Sequence, residues 1–268
     1  MESNEDLRMS EEQSMSITGK LVNILTAPTM VFHSIRERLS WQDWAAPLLI
    51  AVLVSGIVGI VNAPHTLEFS KEAMRAQQEK FMGRDMSDSQ REQIRTRFQD
   101  QMEKQEARYT PPKVYYWSFG RSALGIGFPL LVIAMLYYFA GNTVLGKQAP
   151  FESVLAVVAL PQMVKVIQSL YELLLTQILG TAQVPESLAA MLPYGAAEVF
   201  SMERYHQAIF TLLSQINVFT LWRLVLFTLG FMIIYRVSRG KAIGVVFGYW
   251  LIWLVITTAG SFFLAGLT

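Results

Sequence analysis

The 268-residue chain contains no cysteine, which excludes disulfides, thiolate metal sites and cysteine nucleophiles. Charge is scarce as well: Asp, Glu, Lys and Arg make up 16% of the residues, against about 25% in an ordinary globular protein. That charge is clustered, and long apolar runs separate the clusters. With 52% hydrophobic residues and a mean hydropathy of +0.33, a soluble single-core domain and a mostly disordered chain are both excluded. A net charge of +1 without a concentrated basic face argues against nucleic-acid binding. The aspartates (Asp6, Asp43, Asp85, Asp88 and Asp100) all fall outside the apolar runs, so no paired-aspartate intramembrane protease is encoded. HExxH, GxSxG and P-loop patterns are missing too. The expectation is a non-enzymatic protein without a cofactor.

What is present is a set of five stretches long and apolar enough to cross a bilayer as helices, which takes roughly 20 residues each. They run over about Trp44–Val61, Tyr116–Ala140, Phe151–Leu179, Phe210–Ile234 and Ile243–Leu264. None alternates at period two, so a lipid-facing β-barrel is excluded and the fold class is all-α, a polytopic integral membrane protein. Residues 1–20 form an acidic tail (Glu2, Glu5, Asp6, Glu11, Glu12) that lacks the apolar core of a signal peptide and is expected to be disordered. Pro28 then opens a short amphipathic helix. Val31, Phe32, Ile35 and Leu39 share one face, and His33, Arg36, Glu37 and Arg38 the other. Followed by Trp41 and Trp44, it reads as an interfacial helix lying at headgroup depth. The alternative is a helix packed on the protein's own cytosolic surface.

Lys and Arg in the short connections set the orientation. Lys20, Arg36 and Arg38 precede the first span, Lys147 joins the second to the third, and Arg236, Arg239 and Lys241 join the fourth to the fifth. Five spans put these segments on one side, which predicts a cytosolic N-terminus and an extracytoplasmic C-terminus. The long first loop, residues 62–115, is itself rich in Lys and Arg and opposes this, although segments of that length translocate despite their charge. It reads as an inserted helical hairpin: one helix over Thr66–Phe81, a break at Gly83, and a second over Ser87–Tyr109 that opens with a Ser87/Gln90 capping box. Ile94, Phe98, Met102 and Tyr109 make a narrow stripe along the second helix, suited to self-association or another protein partner through 87–109, or else to a solvated hairpin without one.

Polar residues inside the spans are the main candidate site. Gln162, Lys165, Ser169 and Glu172 lie along one face of the third span, with Gln168 nearby, and Arg223 sits near the middle of the fourth. A lysine at mid-helix costs about 2.5–3.5 kcal/mol on insertion scales, so this face must look into the bundle or a wet cavity. Glu172 and Arg223 are expected to pair across an axial offset of about 10 Å, which their long side chains narrow. These groups either fix helix register or line a polar pathway. Gly240, Gly244 and Gly248, together with Gly56 and Gly59, are expected to let backbones approach closely. His65 with Glu68, and Glu203 with His206, form two i, i+3 pairs on the same side of the membrane that could ligate a metal, but such short patterns arise often by chance and no metal is favoured.

Three segments resemble the Yip family, membrane proteins named for interaction with Ypt/Rab GTPases: NILTAPTMVFHSIRERLSWQDWAAPLLI before and into the first span, GKQAPFESVLAVVALPQMV with Gly146, Pro150, Phe151, Val154 and Pro161, and the Trp222-to-Trp250 stretch with its Gly240-Lys241-Ala242 turn. The five-span count agrees. The resemblance covers about Leu21 to Leu264, apart from the hairpin. It implies a Yip-type membrane domain over 21–264 with a cytosolic N-terminus, and a scaffold or bilayer-organising, trafficking-like role, since eukaryotic relatives are non-enzymatic scaffolds in vesicle trafficking. The compact basic loops and the hairpin suit a bacterial inner membrane. A small transporter or channel component using Lys165, Glu172 and Arg223 is the alternative function.

Overall fold

The computed structural model describes residues 15–82, 87–180, 212, 213 and 215–264, and its regular elements are helices. They are α1 (Ile17–Thr26), α2 (Pro28–Glu37), α3 (Gln42–Val61), α4 (Ala63–Met82), α5 (Asp88–Tyr109), α6 (Lys113–Phe139, continued by a π-helical turn over Ala140–Val144), α7 (Phe151–Ala159), α8 (Gln162–Leu179), α9 (Val218–Tyr235) and α10 (Arg239–Leu264). Five segments have the length and apolarity to cross a membrane: Gln42–Val61, Lys113–Val144, Phe151–Ile178, Val218–Tyr235 and Arg239–Gly260. The chain is an all-α polytopic membrane protein.

Local chemistry explains the ends of these helices. Pro28 occupies the first turn of α2, where its missing N–H costs nothing. The expected capping box closes α5 at both atoms, with Ser87 accepting from the Gln90 backbone and Gln90 from that of Ser87. Thr110, extended, and Pro111-Pro112 stop α5 before α6 begins. Helix α9 opens at Val218, where Asn217 caps it by accepting from Thr220 N–H at 2.7 Å; the expected start of the fourth span near Phe210 lies outside the described residues. Hydropathy does not register a cap. The third span is interrupted at Leu160-Pro161, dividing it into α7 and α8.

The chain divides into two compact units, and the boundary falls within α3, α6 and α8. In the first unit α9 is the hub, packing against α2, α10 and α7. Val31, Phe32 and Ile35 are buried with α9 and α7 as the neighbours of α2, so its apolar stripe is spent on the protein rather than opened to lipid. Of the two readings of this helix, burial supports packing on the protein for that face; His33, Arg36 and Glu37 stay exposed. Glycine permits close approach here at Gly230, where a Cβ would lie 2.7 Å from Val157 and 2.9 Å from Phe32, and at Gly141, whose backbone lies against the Tyr235 ring.

The second unit holds residues 52–125 and 168–184. Its α4 and α5 pack together as the expected hairpin, with an ion pair between Lys71 and Glu106. Arg108 stacks over Trp117 at the start of α6, 4.8 Å from the ring centre. Gly56 abuts Phe119, a Cβ there falling 2.3 Å from the ring, and Gly59 faces Ser118. The close approach expected in the first span is therefore made.

Candidate functional site

In a bilayer, polar side chains inside a helix bundle are costly unless they find partners. The structure gives several of them structural employment. Gln162 is buried and donates from Nε2 to the Val158 carbonyl at 3.2 Å, filling acceptor capacity next to the Pro161 break. Thr228 of α9 donates to Leu224 O at 2.8 Å. In the second unit, the Ser169 hydroxyl bonds to that of Ser55 at 3.0 Å, and Asn62 reaches Thr176 (3.5 Å) and accepts from Gln177 (3.3 Å). Ser169 of the predicted face, together with Thr176 and Gln177 beyond it, thus links the third span to Ser55 and Asn62.

Gln162 and Lys165 fall in the first unit, with Arg223; Gln168, which is buried, and Glu172 fall in the second. Lys165, Gln168 and Glu172 all lie on α8, and each of them has an interaction partner. Arg223 Nε is buried with no hydrogen-bond partner among the described residues. The glycines of the fifth span differ from the expectation: a Cβ at Gly240, Gly244 or Gly248 would meet nothing within 4 Å, so this face has no neighbour among the described residues of the chain. Close approach occurs instead at Gly56, Gly141 and Gly230 because bulky rings or branched side chains stand opposite them. His65 is half-buried and Glu68 exposed, whereas Glu203 and His206 lie outside the described residues. Among the described residues no group of three or more His, Asp or Glu side chains is placed to hold a metal.

Sequence reasoning missed the strongest polar contact. Lys20 Nζ of α1 donates to Asp43 Oδ1 at 2.8 Å and Oδ2 at 3.0 Å, with both side chains nearly inaccessible. The Ser40 backbone N–H adds a bond to Oδ2 at 2.9 Å. This buried clasp ties the helix before the membrane to the first turn of the first span. A lysine and an aspartate 23 residues apart, each flanking an apolar run, were its only trace in the sequence.

The end of α9 holds a second missed feature. There Arg236 adopts a left-handed conformation (φ 50°) as the C-cap, and the π turn at the end of α6 is fixed by Asn142 donating to Ala149 O at 3.1 Å. The end of α9, residues 147–150 with Ser153, and the exposed end of α2 border a cavity.

Five apolar spans, a packed pre-span helix and a basic turn into the last span make up the architecture, and a family model, the Yip1 domain, matches residues 22–260. The chain belongs to the Yip1 family. Comparison with curated proteins and with solved structures returned no match. The Yip1 match runs across the hairpin, so α4 and α5 lie within the limits of the domain.

Proposed function

We propose that this Yip1-domain protein is a non-enzymatic scaffold, a bilayer-organising factor of a bacterial inner membrane with its N-terminus in the cytosol and its C-terminus outside. The observation that carries the reading is the hairpin. Helix α5 has no buried residue, yet Ile94, Phe98, Met102 and Tyr109 line up along it half-covered. A long charged helix that keeps an apolar seam only partly covered by its hairpin partner is suited to assembly rather than to a core. The family assignment and the register-fixing bonds of the intramembrane polar groups support the same role.

Self-association through this seam is tested by the mass of the detergent-solubilised protein. Wild type is expected to run as an oligomer and Phe98→Asp as a monomer; an unchanged mass would remove this assembly surface. A second reading, a small transporter or channel component, draws on Arg223, whose Nε is buried without a hydrogen-bond partner among the described residues, and on the expected pairing of Glu172 with Arg223. Lys165→Met with Glu172→Gln should leave the assembly mass intact for a scaffold and abolish flux into proteoliposomes for a transporter.

A further inference from the structure

The cavity at the end of α9 has a volume of about 490 Å³, within the range of small-ligand sites. Three segments far apart in sequence supply its walls: the end of α2 with Arg36 and Glu37, the loop into α7 with Lys147, Pro150 and Ser153, and the end of α9 with Tyr235 and Arg236. All three belong to the first unit, and the order of spans puts them on the side of the membrane that carries the basic loops.

Four observations converge on a ligand. Three cations and one carboxylate border the space, and Arg36, Lys147 and Arg236 are exposed and make no ion pair among the described residues. Tyr235 is 3% exposed, yet its hydroxyl has no hydrogen-bond partner among the described residues. Arg236 is the only non-glycine residue with positive φ among the described residues; that conformation costs of order 1–3 kcal/mol and clusters at ligand sites. Helix α7 opens at the cavity without a side-chain cap, Pro150 and Ser153 of its N-terminal end forming part of the lining and Glu152 standing in its first turn.

We propose that this cavity binds a phosphate group, carried by the headgroup of an anionic phospholipid in the leaflet facing the basic loops. The guanidinium groups of Arg36 and Arg236 present paired donors to phosphate oxygens, Lys147 adds a point charge, and Ser153 supplies a hydroxyl donor. Basic pockets between membrane helices on the cytoplasmic side are suited to such headgroups. Glu37 at the rim disfavours a second negative charge beside it, which suits a phosphodiester better than a polyphosphate.

The test is native mass spectrometry of the full-length protein, released from detergent after incubation with equal amounts of phosphatidylglycerol and phosphatidylcholine. Phosphatidylglycerol is expected to be retained at least fivefold over phosphatidylcholine. Arg36→Ala with Lys147→Ala should bring that ratio near one. Arg236→Gly suits the left-handed backbone while removing the cation, so it should lose lipid without losing thermal stability. Arg91→Ala with Arg95→Ala, on the exposed face of α5, is the control and should change nothing. If millimolar inorganic phosphate displaces the lipid or binds in its place, the phosphate chemistry stands and the source is a free anion. Equal retention of both lipids together with no phosphate binding overturns the proposal, as does an unchanged ratio in a folded Arg36/Lys147 double variant.

Discussion

The third and fifth membrane helices are almost equally apolar, with mean hydropathies of 1.6 and 1.9 over their most apolar windows, yet 78% of the third and 17% of the fifth is buried. The more polar helix is the enclosed one. Lipid tails are as apolar as leucine, so apolarity alone does not choose a helix's neighbours; polar groups that need partners, and small residues that admit close contact, do. Ser153 to Ala159 of α7 are all buried, a run of small and β-branched side chains broken only by Leu155, whereas Leu251, Ile252, Trp253, Val255 and Ile256 of α10 are all exposed.

Substitutions can break or sharpen this contrast, with unfolding measured by titration with a denaturing detergent. Breaking an enclosed polar pair should cost most: Asp43→Leu strands Lys20 and should lose about 3–5 kcal/mol, while the double change Asp43→Leu with Lys20→Met should recover most of it. A double variant no more stable than the single one would mean that the clasp has a role beyond charge compensation. Next, Leu160→Ala, at a fully buried position, should lose about 2–5 kcal/mol through the void it leaves, and Leu251→Ala on the open face of α10 should be near neutral. Equal losses at the two positions would show that a partner covers the fifth helix. Gly230→Ala must push Val157 or Phe32 aside and should cost about 1–3 kcal/mol, whereas Gly244→Ala should change stability by less than about 0.5 kcal/mol. Smallest is Ser55→Ala, which removes the bond to Ser169 and should cost about 0.6 kcal/mol, the typical size of such bonds in membranes.

The legible parts of the fold were those written locally. Span count and the hairpin follow from the length of apolar runs, and the start of α5 from a four-residue capping pattern. The contacts that decide packing were not local. Val31, Phe32 and Ile35 display the same amphipathic stripe whether a lipid surface or α9 covers it, and only the tertiary structure distinguishes the two. Glycine spacing pointed to Gly240, Gly244 and Gly248, but a glycine's use depends on what stands opposite: Phe119 at Gly56, Tyr235 at Gly141, Val157 and Phe32 at Gly230. Of the candidate polar residues, Gln162 proved to serve its own helix, which a one-sided face in the sequence does not reveal. Arg36, Lys147 and Arg236 were legible as markers of orientation, while their convergence on one cavity was not, because no pair of them lies on the same element.

The Lys20–Asp43 clasp and the stripe on α2 close at different moments of synthesis. Both charges of the clasp are available once the first span has left the ribosome, so the N-terminal platform can lock at the mouth of the translocon early. Its greasy underside must then wait, since α9, which covers Val31, Phe32 and Ile35, is translated only after the third span. Until that helix is made, the apolar face of α2 has α1 and α7 beside it but not α9, and a chain truncated before Val218 is expected to leave part of that face uncovered.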